Sequence, residues 1–225
     1  MTPTGLLGGS FNPAHRGHRR ISIYAAEALG LDEIWWLVSP GNPLKDPKGM
    51  APFPARMASA RQAARRLPIR VTGVERELGT RYTVDTLAAL VRRYPERQFI
   101  WLMGADNLHQ FHRWRDWRKI AALVPIAVIA RPGYDGRAHA ARAMGWLRRF
   151  VRPAGQARKW MTWSVPALVF LRLPPDPTSA TGIRAAHPHW HRDFVSTQQG
   201  AHRDGVTRRL LGSRRHIART DPHSA

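Results

Sequence analysis

Two histidines three residues apart, His15 and His18, close the stretch Gly8-Gly9-Ser10-Phe11-Asn12-Pro13-Ala14-His15-Arg16-Gly17-His18. Glycines let a backbone approach a ligand closely, and imidazoles beside them stand where charge on a phosphate would change. A bare His-x-x-His pair is equally what a solvated helix start carries, and Gly8 and Gly9 could make a plain turn. Two other groups have matching chemistry. Ser179, Thr181 and Arg184, within Ser-Ala-Thr-Gly-Ile-Arg, set hydroxyls beside a guanidinium, a second anion site or else an N-cap with a solvated arginine. Asp106, in Gly104-Ala105-Asp106-Asn107, can accept from ribose hydroxyls or merely cap the helix that follows. Finally, Phe111-His112-Arg113-Trp114-Arg115-Asp116-Trp117 interleaves aromatics with bases, so that a tryptophan face could stack on a planar heteroaromatic ring.

These residues need elements to hold them. The apolar run Gly5-Leu6-Leu7 before the glycines predicts a strand, and Ile21, Ala25, Ala28 and Leu29 recur at helical spacing over Arg19–Leu29. A strand, a glycine turn and a helix start present unpaired N–H groups and a positive dipole end to a phosphate. The stretch is neither a Walker A loop nor a Gly-x-Gly-x-x-Gly fingerprint. Glu33–Val38 reads as a buried strand, followed by the breaker-rich loop Ser39-Pro40-Gly41-Asn42-Pro43-Leu44-Lys45. In an open parallel sheet ligands lie beyond the carboxyl ends of strands, so this loop and the first turn should face one crevice. Asn42 and Lys45 then become candidates for a second phosphate-bearing substrate, Lys45 being otherwise an ordinary exposed lysine.

Farther along, Pro54 opens a helix over Ala55–Leu67, and Ile69–Val74 is strand-like. A helix starts in Tyr82-Thr83-Val84-Asp85, with Thr83 as N-cap and N–H groups able to receive a carboxylate. Gln98–Met103, Ile126–Ala130 and Ala167–Leu173 read as strands, the second closed by Arg131-Pro132-Gly133-Tyr134, and Ala138–Phe150 as an amphipathic helix. Arg152–Pro166 shows no pattern. The alternation predicts an α/β, Rossmann-like, doubly wound and mostly parallel sheet with helices on both faces.

The 225 residues suit one such domain with a small appendage. There are no cysteines, which excludes disulfides and thiolate chemistry. No basic leader precedes a long apolar run and no segment is apolar enough to span a bilayer, so a cytoplasmic protein is expected. The net charge of +21 points to polyanionic partners, nucleotide or nucleic acid, or to an arginine-rich composition style. From Val195 to Ala225 there are six arginines and two aspartates, so most of the charge belongs to the body. We expect a catalytic domain over 1–200 and a basic tail over 201–225, disordered and dispensable from about residue 203.

The complete opening stretch matches Gly-Gly-x-Phe-Asp/Asn-Pro-x-His-x-Gly-His and so resembles the His-x-Gly-His nucleotidyltransferase superfamily. Together with Gly104-Ala105-Asp106, Ser179-Ala180-Thr181-Gly182-Ile183-Arg184, Tyr82-Thr83, the Trp114–Trp117 patch and Arg131-Pro132-Gly133-Tyr134, it is similar over residues 4 to 200 to the bacterial nicotinate mononucleotide adenylyltransferases. That resemblance implies adenylyl transfer from ATP to nicotinate mononucleotide, giving deamido-NAD and pyrophosphate in NAD biosynthesis. It implies that His15, His18 and Arg184 are catalytic. Gly8, Gly9, Ser10, Phe11, Gly104, Asp106, Ser179 and Thr181 would complete the ATP site, with Mg²⁺ accompanying ATP rather than held in a carboxylate cage. Asn42, Lys45, Tyr82, Thr83, Trp114, Arg115 and Arg131 would form the acceptor site. ATP and nicotinate mononucleotide are thus the expected partners, with nucleic acid bound nonspecifically if at all, no membrane, and room for a homo-oligomer. Competing expectations are a related acceptor, nicotinamide mononucleotide or phosphopantetheine, and a nonenzymatic nucleic-acid-binding protein.

Overall fold

A computed structural model describes residues 1–41, 49–130, 140–174 and 178–197. Seven strands form one sheet: β1 (Thr2–Gly9), β2 (Glu33–Val38), β3 (Ile69–Thr72), β4 (Arg97–Gly104), β5 (Ile126–Ala130), β6 (Val151–Arg152) and β7 (Leu168–Arg172). Their order is β3-β2-β1-β4-β5-β7-β6, and every pairing is parallel. The order reverses between β1 and β4, so the crevice for a ligand opens beyond Gly9 and Gly104.

Strand alternation sends neighbouring side chains to opposite faces, and a parallel sheet covered on both sides buries both sets. Trp35 packs with Leu6, Phe99, Tyr94 and Leu87 on one face, while Trp36 packs with Leu7, Ile100, Ala25 and Phe11 on the other. The helices α1 (Arg16–Leu29) and α2 (Phe53–Ala63) cover the Trp36 face. The Trp35 face is covered by α4 (Thr83–Arg93), α5 (Ala105–Phe111), α6 (Trp117–Leu123) and α7 (Met144–Leu147). Short helices α3 (Val74–Leu78) and α8 (Ala180–Ala186) flank the crevice. At the far end of the sheet Glu33 pairs with Arg70 and Arg97 and accepts from Trp35 Nε1 at 3.0 Å, which spends that acid on structure.

Several expectations need correction. Of the amphipathic helix expected over Ala138–Phe150, the described residues from 140 onward are α-helical at Met144–Leu147, continued by a 3₁₀ turn to Phe150. The strand over Ile69–Val74 stops at Thr72, whose Oγ1 accepts from the Val74 N–H at 3.1 Å and opens α3. The unpatterned Arg152–Pro166 begins on the last residue of edge strand β6 and contains a 3₁₀ helix over Ala154–Thr162. Trp160 on that helix is fully buried, and its Nε1 donates to Leu29 O at 3.0 Å. Residues 201–225 lie outside the described residues.

Candidate active site

The loop from β1 to α1 is fixed at both of its histidines. His15 caps α1, its Nδ1 accepting from the Gly17 N–H at 3.0 Å, while His18 Nδ1 accepts from the His15 N–H at 3.2 Å. The two imidazoles thus form a reciprocal capping box, with Nδ1 the acceptor in each ring and the proton of each neutral ring on Nε2. The ring centroids are 4.0 Å apart. Any side chain at 17 would collide with this arrangement, since a Cβ there would stand 2.8 Å from His15 Cε1 and 2.9 Å from Nδ1. Behind the pair, His18 packs on Phe11 at 4.9 Å and Phe11 stacks on Trp36 at 4.9 Å. Burial of the Phe11 ring offsets its left-handed backbone, φ 46°.

Other residues fasten this loop to its neighbours. Asn12 donates to Gly49 O at 2.9 Å and accepts from the Ala51 N–H at 3.1 Å. The Ala14 N–H donates to Ser59 Oγ on α2 at 3.0 Å. Arg184 donates to Asn12 O at 2.7 Å and to Thr181 Oγ1 at 3.2 Å. Ser179 caps α8 by accepting from the Gly182 N–H at 3.1 Å.

Two lobes open beyond the strand ends. The first is lined by Gly8, Gly9, Ser10, Phe11, His15, His18, Gly104, Asp106 and Ser179. Gly104 leaves room for Asp106: a Cβ there would overlap the Asp106 carboxylate. The second is lined by Ser39, Gly41, Glu75, Tyr82, Thr83, Trp101, Trp114 and Arg115, and also by Arg81 and Arg113. Gly8, Gly9, Ser10 and Asn107 belong to both. Gly8 is what brings the lobes together, because a Cβ there would meet the Trp101 ring at 2.5 Å. Trp114 stands edge-on to Trp101 and Phe111, and the Arg115 guanidinium lies 4.7 Å from the Tyr82 ring centroid.

Nine expected ATP-site residues therefore line one lobe and four expected acceptor residues line the other. Thr181 and Arg184 stand beside the first lobe, joined to it through Asn12. Thr83 is the first residue of α4, not its cap; Tyr82 holds the cap position without a side-chain bond. Asn42, Lys45 and Arg131 lie outside the described residues.

A family model described as Cytidylyltransferase-like matches residues 6–186. The chain belongs to the cytidylyltransferase-like family. Among members of this family, the chain is 60% identical over 208 residues to a protein of Erythrobacter litoralis named "Probable nicotinate-nucleotide adenylyltransferase", covering 92% of this chain and 94% of the relative. A Parvibaculum lavamentivorans protein of the same name is 53% identical, covering 82% of this chain and 93% of its own length. Among solved structures, the Plasmodium falciparum nicotinic acid mononucleotide adenylyltransferase complexed with NaAD shares the fold, with a TM-score of 0.61 at 16% identity, covering 82% of this chain and 83% of that one.

One lining residue of this cytidylyltransferase-like site was not legible beforehand. Glu75 sits on α3 in the second lobe, and its carboxyl is raised from 4.5 to about 7 by burial, with a hydrogen bond from Ser39 lowering it in part. Val-Glu-Arg-Glu-Leu gives no sign that one acid turns inward. The bracketing Gly73 and Gly79, the latter left-handed at φ 65°, were the available signal for a short helix. Asp106 and Glu75 are the carboxylates among the lining residues, one in each lobe, and the described residues contain no cluster of three or more metal-ligating side chains. A divalent cation at this site would be held by the substrate's phosphates and water.

Proposed function

We propose that the protein transfers the adenylyl group of ATP to nicotinate mononucleotide, releasing pyrophosphate and forming the deamido dinucleotide of NAD biosynthesis. The observation that carries this is the pair of lobes meeting at Gly8–Ser10, in a chain closely similar to proteins named for this activity. ATP occupies the first lobe with its ribose on Asp106. The Nε2–H groups of His15 and His18, with the backbone N–H groups of Ser10 and Phe11, face the α- and β-phosphates. Ser179, Thr181 and Arg184 attend the β- and γ-phosphates. Mg²⁺ arrives with ATP as part of that substrate.

The acceptor enters the second lobe, its pyridine ring on Trp114 and its carboxylate toward Thr83 and Arg115. Its phosphate oxygen attacks the α-phosphorus in line; a new P–O bond forms as the bond to the β-phosphate oxygen breaks. The attacking phosphate is ionised near neutrality, so no protein base is required. Catalysis comes from alignment and from donors aimed at the equatorial oxygens, effects that together supply on the order of 10 kcal/mol in comparable reactions. Arg81, Arg113 and Arg115 around the lobe favour the acid over the amide. We place the reaction in the cytoplasm, as the sequence leads one to expect.

Pyrophosphate release from ATP, measured with the acid, the amide and phosphopantetheine, tests the reading. The acid should be preferred by at least about tenfold in kcat/KM, as expected for a charge partnered in one ligand and missing in the other. Preference for either alternative acceptor overturns it. Replacing His18 with alanine should abolish turnover and leave the fold intact.

A further inference from the structure

Arg56 is the most conspicuous buried cation of the molecule. It lies on the inner face of α2, 1% exposed, among the apolar residues that pack beneath the sheet. It makes no ion pair among the described residues; instead four of its five N–H groups go to backbone carbonyls. Nη1 donates to Ser10 O at 2.8 Å and to Ser39 O at 2.7 Å. Nη2 donates to Pro40 O at 3.2 Å and Nε to Ala51 O at 3.0 Å. Ser10 belongs to the loop after β1, Ser39 and Pro40 to the loop after β2, and Ala51 to the approach to α2. One planar group therefore spans the loop that serves the first lobe and the loop that serves the second.

The direction of these bonds matters. In a trans peptide the carbonyl and the next N–H point to opposite sides. The Ser10 carbonyl is continuous with the Phe11 N–H, and the Pro40 carbonyl with the Gly41 N–H. Phe11 lines the first lobe and Gly41 the second, and neither N–H has a hydrogen-bond partner among the described residues. A cation on the carbonyl end polarises each peptide and makes its N–H a stronger donor to an anion on the far side. A merely structural bond to these carbonyls would need no charge, and burying an unpaired guanidinium carries a desolvation cost. Burial accordingly lowers the pKa of Arg56 from the ordinary arginine value.

We propose that Arg56 is a positioning residue for the transfer step: its guanidinium holds the two substrate loops at one spacing and orients the Phe11 and Gly41 N–H groups toward the phosphates of donor and acceptor. The proposal rests on the adenylyl-transfer reading. Arg56 touches neither substrate, so it acts on the alignment of the reacting phosphates more than on their binding.

Arg56→Lys keeps the charge but not the flat fork that reaches three segments; Arg56→Gln loses both. Turnover is measured with ATP and nicotinate mononucleotide, normalised to the folded fraction from a thermal melt. For R56K we expect kcat to fall by about fivefold or more while both KM values stay within about threefold, and R56Q to fall further, because misalignment costs rate before affinity. A kcat for R56K within fivefold of wild type, or a rise in KM alone, overturns the proposal. Should R56Q not fold, the R56K result decides by itself. Failure of wild type to release pyrophosphate would instead sink the adenylyl-transfer reading, so the two failures are distinguishable.

Discussion

At the scale of single residues, Gly17 separates stability from activity. It occupies the first turn of a helix with ordinary backbone angles, where alanine is the better helix former by about 1 kcal/mol. The Cβ of G17A would nevertheless push the His15 ring off its cap. We expect G17A to melt within a few degrees of wild type yet lose turnover by about tenfold or more, since the imidazoles would leave the positions we propose for them against the phosphates. Glu75 makes a prediction in pH. Its carboxyl is raised to about 7, so it is neutral below that value and gains its charge above it. The native state accordingly loses stability as pH climbs from the ordinary carboxylate range through 7, and a negative charge then appears in the lobe proposed to receive an anion. The acceptor KM should therefore rise between pH 6.5 and 8 by more in wild type than in E75Q, roughly several-fold. Comparing the two proteins with the same acceptor cancels the acceptor's own titration. Identical pH profiles would remove Glu75 from the lobe's electrostatics.

Elements differ in how openly the sequence declares them. Strands β2 and β5 were legible to the residue because they are short, apolar save for Glu33 at the start of β2, and bounded by breakers, which is how a strand buried on both faces must read. The His15–His18 turn was legible because its residue types are tied to a strand before and a helix after. By contrast, α2 is less legible: Arg56 and Ser59 lie on its buried face, so its apolar stripe is interrupted by the two side chains that hydrogen-bond the loop after β1. Neither is distinguishable by type from the solvated arginines and serines elsewhere, and only the tertiary partners reveal them. The 3₁₀ helix over Ala154–Thr162 escaped for another reason, since its three-residue turn gives no 3.6-residue stripe. Its anchor, Trp160, packs at the far end of α1, roughly 20 Å of helix away from the histidines. W160A should cost about 3–5 kcal/mol of stability, read as a lowered melting temperature, with kcat at 25 °C unchanged. A kinetic defect without destabilisation would mean the segment communicates with the site.

For the molecule as a whole, the charge of +21 is a field and not a fold determinant. Both proposed substrates are anions, so their KM values should rise with ionic strength as screening shortens that field's reach. We expect a chain ending at residue 202 to keep kcat and KM within about twofold of the full chain at physiological salt, since most of the charge belongs to the body and screening limits the reach of an exposed charge to roughly 8 Å. A larger loss would assign the tail a part in turnover. The shared wall at Gly8, Gly9, Ser10 and Asn107 has a kinetic consequence. A dinucleotide filling both lobes is two ligands on one tether: once either half is seated, the other is presented at an effective concentration of about millimolar or more. The product is therefore held more firmly than either substrate. We therefore expect its departure, rather than the transfer itself, to set the pace, with a burst of pyrophosphate in the first turnover as the measurement that checks it. On that reading an accumulating dinucleotide pool should slow its own synthesis by occupying the same two lobes.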